Sequence, residues 1–314
     1  AGERVADVVK LDKNNRILVS QGLARIRSGH THPGISALFS IAGKDMIKAS
    51  VRDFGFAIGP RINAAGRLGT MENGIECLLC DDPIEALRLA QSLNDINAER
   101  RELEGEMQQA AEAEIARLST EKLAAVTLFN DCFNEGVVGL VAARIKEHIH
   151  RPVIAFAKTE SGELKGSGRS IPGIHLRDML DLVAKQLPDV VLRFGGHAMA
   201  AGLSIRPEGL DRFAETFEAV VRDNCDPSAF ERIVLTDGGL APDEINERLC
   251  AEIESQIWGQ GFEAPLFANE FTVLGQTLLK DAHLKLAVML GRQRFDAIFF
   301  RRREPLTQIS AVHQ

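Results

Sequence analysis

The sequence predicts an α/β protein of several domains that ends in a small β-barrel. Strand and helix signals alternate between residues 119 and 226, a long helix-favouring stretch precedes them, and the apolar period changes to two after Phe230. A chain of 314 residues also exceeds what one ordinary core accommodates. We therefore expect four segments, which are residues 1–80, 81–118, 119–226 and 227–314.

Residues 1–80 combine short strand and helix signals that glycine and proline interrupt, as at Gly59 and Pro60. This pattern is typical of the tail of an α/β unit. Residues 5–9 already read as a strand, and residues 306–314 read as extended without a stop signal. We therefore expect the chain to be a fragment of a longer protein.

Helix-forming residues dominate the segment 81–118. Asp82 can cap a helix and Pro83 suits its first turn, while glutamate and arginine crowd the positions between the apolar residues. Without interruption this helix would be ~55 Å long at 1.5 Å per residue. The sequence therefore predicts a solvated linker helix that is long enough to join two domains.

Strands and helices alternate after this helix. Strands are predicted at residues 123–129, 152–158 and 162–170, and helices at 136–148, 175–186 and 210–224. This alternation indicates a sheet with helices packed on it. Three further strands are predicted at 270–279, 283–290 and 294–300. Their tight turns favour a small barrel, for which an oligonucleotide-binding fold is one candidate.

Composition excludes several classes of protein. The formal charge of −7 argues against a protein that coats nucleic acid without specificity. Acidic residues concentrate in 81–118 and basic ones in 280–303, so basic surfaces remain for phosphates. No apolar run approaches the ~20 residues that cross a bilayer, so we expect no membrane partner. Five cysteines without disulfide-framework or zinc spacing indicate a reducing, cytoplasmic location.

The first motif with candidate chemistry lies at residues 59–69. It places Arg61, Asn63 and Arg67 among glycine and alanine, which let a ligand approach the backbone. Arginine can bind a phosphate through two parallel hydrogen bonds. A structural turn is the alternative interpretation.

The second motif, at residues 165–170, combines glycines with the side chains of Ser167, Arg169 and Ser170. Backbone N–H groups, hydroxyls and a guanidinium together form the kind of nest that binds anions. A flexible polar loop is the alternative interpretation.

The third motif, at residues 194–202, places His197 after Gly195 and Gly196 in a stretch of small residues. With so little bulk around it, this imidazole could reach a phosphate oxygen or a metal-bound group. A histidine packed in a core is the alternative interpretation.

Several common catalytic motifs are missing from the sequence. It has no Walker A loop, no Gly-x-Ser-x-Gly elbow, no His-Glu-x-x-His and no dense cluster of aspartate and histidine for two divalent ions. The residues of this chain therefore favour recognition of anions over cleavage of bonds.

Together, the motifs at residues 59–67, 168–173 and 195–202 resemble those of the RecJ family of the DHH phosphoesterase superfamily. The likeness covers essentially the whole chain. It implies a 5′-to-3′ exonuclease that acts on single-stranded DNA with Mn²⁺ or Mg²⁺ in recombination and repair. It further implies the C-terminal part of a DHH-type domain at 1–80, a DHHA1-type domain at 119–226, and an oligonucleotide-binding fold after it.

The resemblance also implies roles for individual residues. Arg61, Ser167 and Arg169 match positions that hold the terminal phosphate of the DNA strand, and Asn63, Arg67 and Ser170 lie in the same motifs. His197, with Gly195 and Gly196, matches the motif that faces the metal centre, which makes it the candidate catalytic residue. Asp7 resembles the last aspartate of the metal site. Single-strand-binding protein and a helicase would be natural partners besides the DNA itself.

Two departures from the family pattern bear on activity. No Asp-His-His motif occurs in the chain, and residues 133–136 read Phe-Asn-Glu-Gly where the family usually has Trp-His-x-Gly. One carboxylate cannot hold a metal pair, so we expect no metal bound to this fragment and no more than trace nuclease activity. One alternative is a non-catalytic protein that binds single strands and has lost the metal site. Another is a DHHA1 enzyme acting on small nucleotides or short RNA, against which the C-terminal barrel argues.

Overall fold

The computed structural model of the chain describes residues 9–117, 123–280, 283–300, 302 and 305–306. The chain divides into two compact units, Ile26–Arg232 and a second formed by Ala1–Arg25 with Ile233–Gln314. The longer helices, numbered in chain order, are α1 (Lys13–Arg27), α2 (Pro33–Ile41), α3 (Gly59–Leu68), α4 (Glu72–Leu79), α5 (Pro83–Ile115), α6 (Val138–Ile149), α7 (Leu176–Gln186), α8 (Leu210–Asn224) and α9 (Glu247–Ser255). The strands are β1 (Val126–Phe129), β2 (Val153–Lys158), β3 (Leu164–Arg169), β4 (Val191–Gly196), β5 (Ala200–Ile205), β6 (Thr272–Leu279), β7 (His283–Leu290) and β8 (Gln293–Phe299). The predicted α/β class is confirmed.

Residues 9–80 are helical, and no strand lies within that described range. The prediction of mixed strand and helix signals for the N-terminal segment is therefore wrong there. Of the strand predicted at 5–9, residues 5–8 lie outside the described residues, and Val9 lies in no strand. Buried apolar side chains hold these helices together, as where Phe39 and Phe54 meet edge to face with ring centroids 5.8 Å apart. Gly59 and Pro60 do not interrupt the helix, because α3 continues directly from a π-helical turn at Phe54–Ile58.

The long helix α5 is confirmed, with Asp82 accepting hydrogen bonds from the N–H groups of Ile84 and Glu85. It is not the solvated linker that the charged sequence predicted. Its first half buries apolar side chains such as Leu93 and packs against α2, α3 and α4, whereas its second half packs against α6. Met107 belongs to the core that α6 forms with the sheet. The helix therefore braces two groups of elements within the larger unit.

The larger unit contains a five-stranded mixed sheet in the order β1-β2-β3-β5-β4. β1 and β2 are parallel and joined by α6, and the other neighbours are antiparallel. On the far face from α6, Phe156 of β2 meets Phe213 of α8, which stacks on Phe217. β4 and β5 were not predicted from the sequence.

The smaller unit contains a three-stranded antiparallel sheet, β6-β7-β8, which agrees with the three strands predicted from the two-residue period. Leu284, Leu286 and Val288 of β7 are buried on one side of it, as the alternation predicted. Closure of this sheet into a barrel stays a prediction. None of the described helices combines the length and apolar character needed to span a membrane.

Candidate phosphate-binding site

Strand β3 places two polar side chains on one face of the mixed sheet. Ser167 and Arg169 are two residues apart and so point to the same side. Gly166 points to the other side, where a Cβ would lie 2.5 Å from the Phe156 ring. The glycines of this motif therefore serve core packing in a strand, and the alternative of a flexible polar loop is wrong.

The loop before α6 is shaped by Asn134. Its side-chain Oδ1 accepts a hydrogen bond from Gly136 N (2.8 Å), and its carbonyl oxygen accepts from the N–H groups of Val137 (3.1 Å) and Val138 (2.9 Å). Such local bonds from asparagine fix the entry of a chain into a helix. Asn134 therefore sets where α6 begins, two residues later than the sequence predicted.

Gly139, in the first turn of α6, lets that helix approach β3 closely. A Cβ on this residue would lie 2.8 Å from Ser167 Oγ and 3.0 Å from Arg169 Nη2. A helix N-terminus carries partial positive charge, because its first N–H groups have no acceptor within the helix. Hydroxyl, guanidinium and helix N-terminus therefore converge in an arrangement that suits an oxyanion.

Arg169 is held in place by neutral acceptors. Its Nη1 donates to Ser167 Oγ (3.1 Å) and to the carbonyl oxygen of Gly168 (2.8 Å). Burial lowers the pKa of this guanidinium, and the nearby Arg67 lowers it further. Arg67, in the last turn of α3, donates through Nη1 to Gly136 O (3.1 Å). Two cations from separate parts of the unit therefore face one another beside α6.

Further arginines extend this positive region. We use "arginine cluster" for six arginines that are linked pairwise by electrostatic repulsion, with Arg67 next to Arg169 and Arg61 at the far end next to Arg101; they are Arg61, Arg67, Arg100, Arg101, Arg144 and Arg169. Among the described residues, Glu104 is the one carboxylate that forms ion pairs with the cluster, to Arg100 and to Arg144. Two of the six guanidiniums, those of Arg100 and Arg144, are therefore paired with a carboxylate, and burial lowers the pKa of Arg100 more than Glu104 raises it.

Arg61 is oriented by neutral groups at one end of the cluster. Its Nε donates to Asn94 Oδ1 (3.1 Å) and its Nη1 to Ala57 O (2.7 Å). Burial lowers the pKa of its guanidinium most, and the positive charge of Arg101 lowers it further. Asn63 lies half-buried on the same helix, α3. The first motif is therefore helical and not the structural turn that was its alternative, and it contributes Arg61 and Arg67 at different points of the cluster.

The turn between β4 and β5 carries His197. His197 N–H donates to Ala200 O (2.8 Å) across the turn, after Gly196 with φ of +146°. Both β3 and β4 pair antiparallel with β5, so their C-terminal ends lie at the same end of the sheet. Arg169, at the end of β3, and the exposed His197, just after β4, therefore lie at the same end of the sheet, and their strands are roughly 10 Å apart. The alternative of a packed core histidine is wrong.

Ser170 has a different environment from Ser167. Its side chain is buried, and its hydroxyl donates to the carbonyl oxygen of Ile174 (2.8 Å). Its backbone N–H donates to Met199 O (2.9 Å). Ser170 therefore links β3 to the β4–β5 turn, and its hydroxyl does not contact the arginine cluster.

The predicted metal ligand cannot be placed, because Asp7 lies outside the described residues. Within the described part of the chain, no group of three or more histidine, cysteine, aspartate or glutamate side chains could hold a metal ion. The described residues therefore do not fit a metal pair, and their chemistry is that of anion binding.

Sequence reasoning missed several members of the site. Gly139 stands in an ordinary helical pattern, where nothing marks it as a contact to β3. Arg100 and Arg101 were hidden by the acidic character of the long helix, although an adjacent arginine pair in such a segment is a usable signal. Arg144 and Glu104 become recognisable only once α5 and α6 are packed together.

Two domain families match the chain, the DHHA1 domain over residues 120–223 and the RecJ OB domain over residues 236–313. The single-stranded-DNA-specific exonuclease RecJ of Dickeya dadantii is 46% identical over 302 residues, which are 94% of this chain and 52% of that protein. The RecJ of Escherichia coli is 45% identical over 288 residues, 90% of this chain and 50% of that protein. The chain matches a C-terminal portion of RecJ.

A solved RecJ structure has the same fold. The crystal structure of RecJ from Thermus thermophilus in complex with Mg²⁺ matches with a TM-score of 0.81 at 28% identity, covering 98% of this chain and 47% of that one. Its Mn²⁺ complex matches with the same score and covers 98% and 44%. The chain spans about half the length of the RecJ proteins it matches.

Asn134 stands where the resemblance noted from the sequence predicts a histidine. Its amide oxygen binds Gly136 N–H and so shapes the start of α6. The preceding Phe133 is buried in the core beneath this helix. Asn134 therefore holds the loop before α6 through local hydrogen bonds.

Proposed function

We propose that this chain is the substrate-binding portion of a 5′-to-3′ exonuclease for single-stranded DNA, and that the arginine cluster holds the 5′-terminal phosphate. The observation that carries this proposal is the convergence of Arg169, Ser167 and the N-terminus of α6 around Gly139. The names of the relatives, all single-stranded-DNA-specific exonucleases, support the substrate class.

A terminal phosphate fits this site better than an internal one. The cluster has an excess of cations, and several are partly buried, so a dianion relieves more repulsion than the single charge of a phosphodiester. Arginine can hold two oxygens of a terminal phosphate at once, while Ser167 and the helix N-terminus reach the third. An anchor of this kind registers the strand from its 5′ end.

An open glycine surface next to the cluster gives the strand room to continue. Ser167, Gly202 and Gly195 lie in register across β3, β5 and β4. Gly195 is exposed, and a Cβ on it would meet nothing within 4 Å. Because glycine lets a ligand approach the backbone, we propose that the first nucleotides lie along this surface toward His197. In this proposal His197 contacts the substrate.

Binding to DNA oligonucleotides tests the proposal. We expect tighter binding to a 5′-phosphorylated single strand than to the same strand with a 5′-hydroxyl or a 3′-phosphate, since only the first presents the dianion at the correct end. Affinity should also fall steeply with salt, because arginine displaces counterions from the DNA. Equal affinity for all three strands, or a flat dependence of affinity on salt, would count against the anchor.

The hydrolytic step is proposed for the longer protein to which this chain corresponds. The Thermus proteins were crystallised with Mg²⁺ and Mn²⁺, and we propose that such an ion is held with the help of Asp7 and residues outside the described part. The described residues bind and orient the strand, which brings the phosphodiester into register with that centre. A role in recombination and repair, with single-strand-binding protein and a helicase as partners, belongs to the same proposal.

The chain alone should therefore show no more than trace nuclease activity. With Mn²⁺ supplied and a 5′-phosphorylated single strand as substrate, we expect binding without release of nucleotides above background. Mononucleotide release is measured with and without a chelator. Robust, chelator-sensitive release by the purified 314-residue chain would contradict this expectation while leaving the binding proposal intact.

A further inference from the structure

The smaller unit contains a cavity that the site described above does not use. Its volume is about 350 Å³, at the small end of the ~300–1,000 Å³ of small-molecule pockets. It is lined by residues of α1 and of the segment that ends α9, namely Lys13, Arg16, Ile17, Ser20, Gln21, Ser255, Gln256 and Ile257. All of these residues belong to one compact unit.

The charge of this cavity favours an anion. Lys13 and Arg16 are cationic, and no carboxylate is among the lining residues. Arg16 also lacks a hydrogen-bond acceptor, because its Nε is buried and no described residue accepts a hydrogen bond from it. A buried guanidinium N–H without an acceptor is costly, so a ligand oxygen that reaches it after a local shift of the side chain would be bound favourably.

The guanidinium of Arg16 is held in position by aromatic rings. It lies 3.6 Å from the centroid of the Phe262 ring, and Phe262 stacks on Trp258 with ring centroids 5.3 Å apart and planes inclined by 12°. Stacking fixes the plane of the guanidinium and leaves its edge free for hydrogen bonds. Arg16 is therefore positioned before any ligand arrives.

We propose that this cavity binds an internal nucleotide of the single-stranded DNA, with its phosphate on Arg16 and Lys13. The proposal rests on the proposed function, which supplies the class of ligand. Ile17 and Ile257 offer apolar contact to a base or sugar, and Gln21 and Gln256 can both donate and accept hydrogen bonds. The volume suits one nucleotide.

The single tryptophan of the chain makes binding directly observable. The sequence has one tryptophan and no tyrosine, so the emission of Trp258 reports on the stack beneath Arg16. We expect a 5′-hydroxyl oligothymidylate to change this emission saturably. In the Arg16→Gln variant the change should be lost, and affinity for the same strand should fall roughly tenfold, since one charge-assisted contact to phosphate is removed.

Three further variants separate this site from other effects. Arg248→Ala removes an exposed arginine of the same unit that is paired with Glu252, and it should keep the emission change. Lys13→Ala tests the site even if Arg16→Gln does not fold. Because Lys13 is exposed, its replacement should leave the fold intact, and the emission change should weaken. Arg169→Ala should also keep it, so failure of the 5′ anchor and failure of this site are distinguishable.

Three results would overturn the proposal. The first is an oligothymidylate that binds without changing Trp258 emission. The second is an emission change that persists unaltered in both Arg16→Gln and Lys13→Ala. The third is an acidic peptide that changes the emission whereas the oligonucleotide does not, which would assign the cavity to a protein ligand.

Discussion

Replacing Arg169 with alanine should abolish the preference of this chain for a 5′-phosphorylated strand. The variant loses a charge-assisted contact worth about 1.5–3 kcal/mol, which corresponds to about 10- to 150-fold in affinity. The loss should appear only with a 5′-phosphate, because a 5′-hydroxyl strand makes no use of the anchor. Binding of both strands to wild type and variant, measured by fluorescence anisotropy at one salt concentration, gives the comparison.

A second arginine variant serves as the control for charge. Arg212 of α8 is exposed and ion-paired with Asp189, so Arg212→Ala removes the same charge from the same unit without touching the cluster. It should preserve discrimination between the two strands. If instead Arg169→Ala discriminates as well as wild type and only its melting temperature is lower, Arg169 is a structural brace for Ser167 and Gly168, and the anchor role is wrong.

The sequence allowed most of the strongly periodic elements to be predicted, for a physical reason. In β7, Leu284, Leu286 and Val288 alternate with less buried residues, and burial of one sheet face alone produces this period. The long helix was predicted equally well from Asp82, Pro83 and the helix-forming residues that follow. Local sequence determines such elements, so a single chain reveals them.

Other features could not be predicted because they depend on contacts distant in sequence. Gly166 is required by the ring of Phe156 on a neighbouring strand, and the helix start at Val138 depends on the bonds of Asn134. β4 and β5 were not predicted, since their glycines weaken strand signals where a backbone must stay accessible. The site arginines lie on α3, α5, α6 and β3, which are tens of residues apart in sequence, and only the packing of α5 against α3 and α6, and of α6 against β3, brings them together.

Gly139 gives a second test of the anchor that leaves every charge in place. A Cβ on it would meet Ser167 Oγ at 2.8 Å and Arg169 Nη2 at 3.0 Å, which are ends of side chains that can move. Gly139→Ala should therefore fold normally and displace the guanidinium from its bonding position. We expect discrimination for the 5′-phosphate to fall on the order of tenfold, since hydrogen bonds weaken steeply when distance and angle are wrong.

Two other glycines control for the substitution itself. A Cβ on Gly105 of α5 would meet nothing within 4 Å. Gly105→Ala should therefore raise the free energy of unfolding by ~0.5–1 kcal/mol through helix propensity and leave binding unchanged. Gly136→Ala would bring a Cβ within 2.0 Å of the Arg67 backbone oxygen, and it should lower the melting temperature. Unchanged discrimination by Gly139→Ala, with a melting temperature like that of wild type, would show that the close approach of α6 to Arg169 is not needed to hold the phosphate.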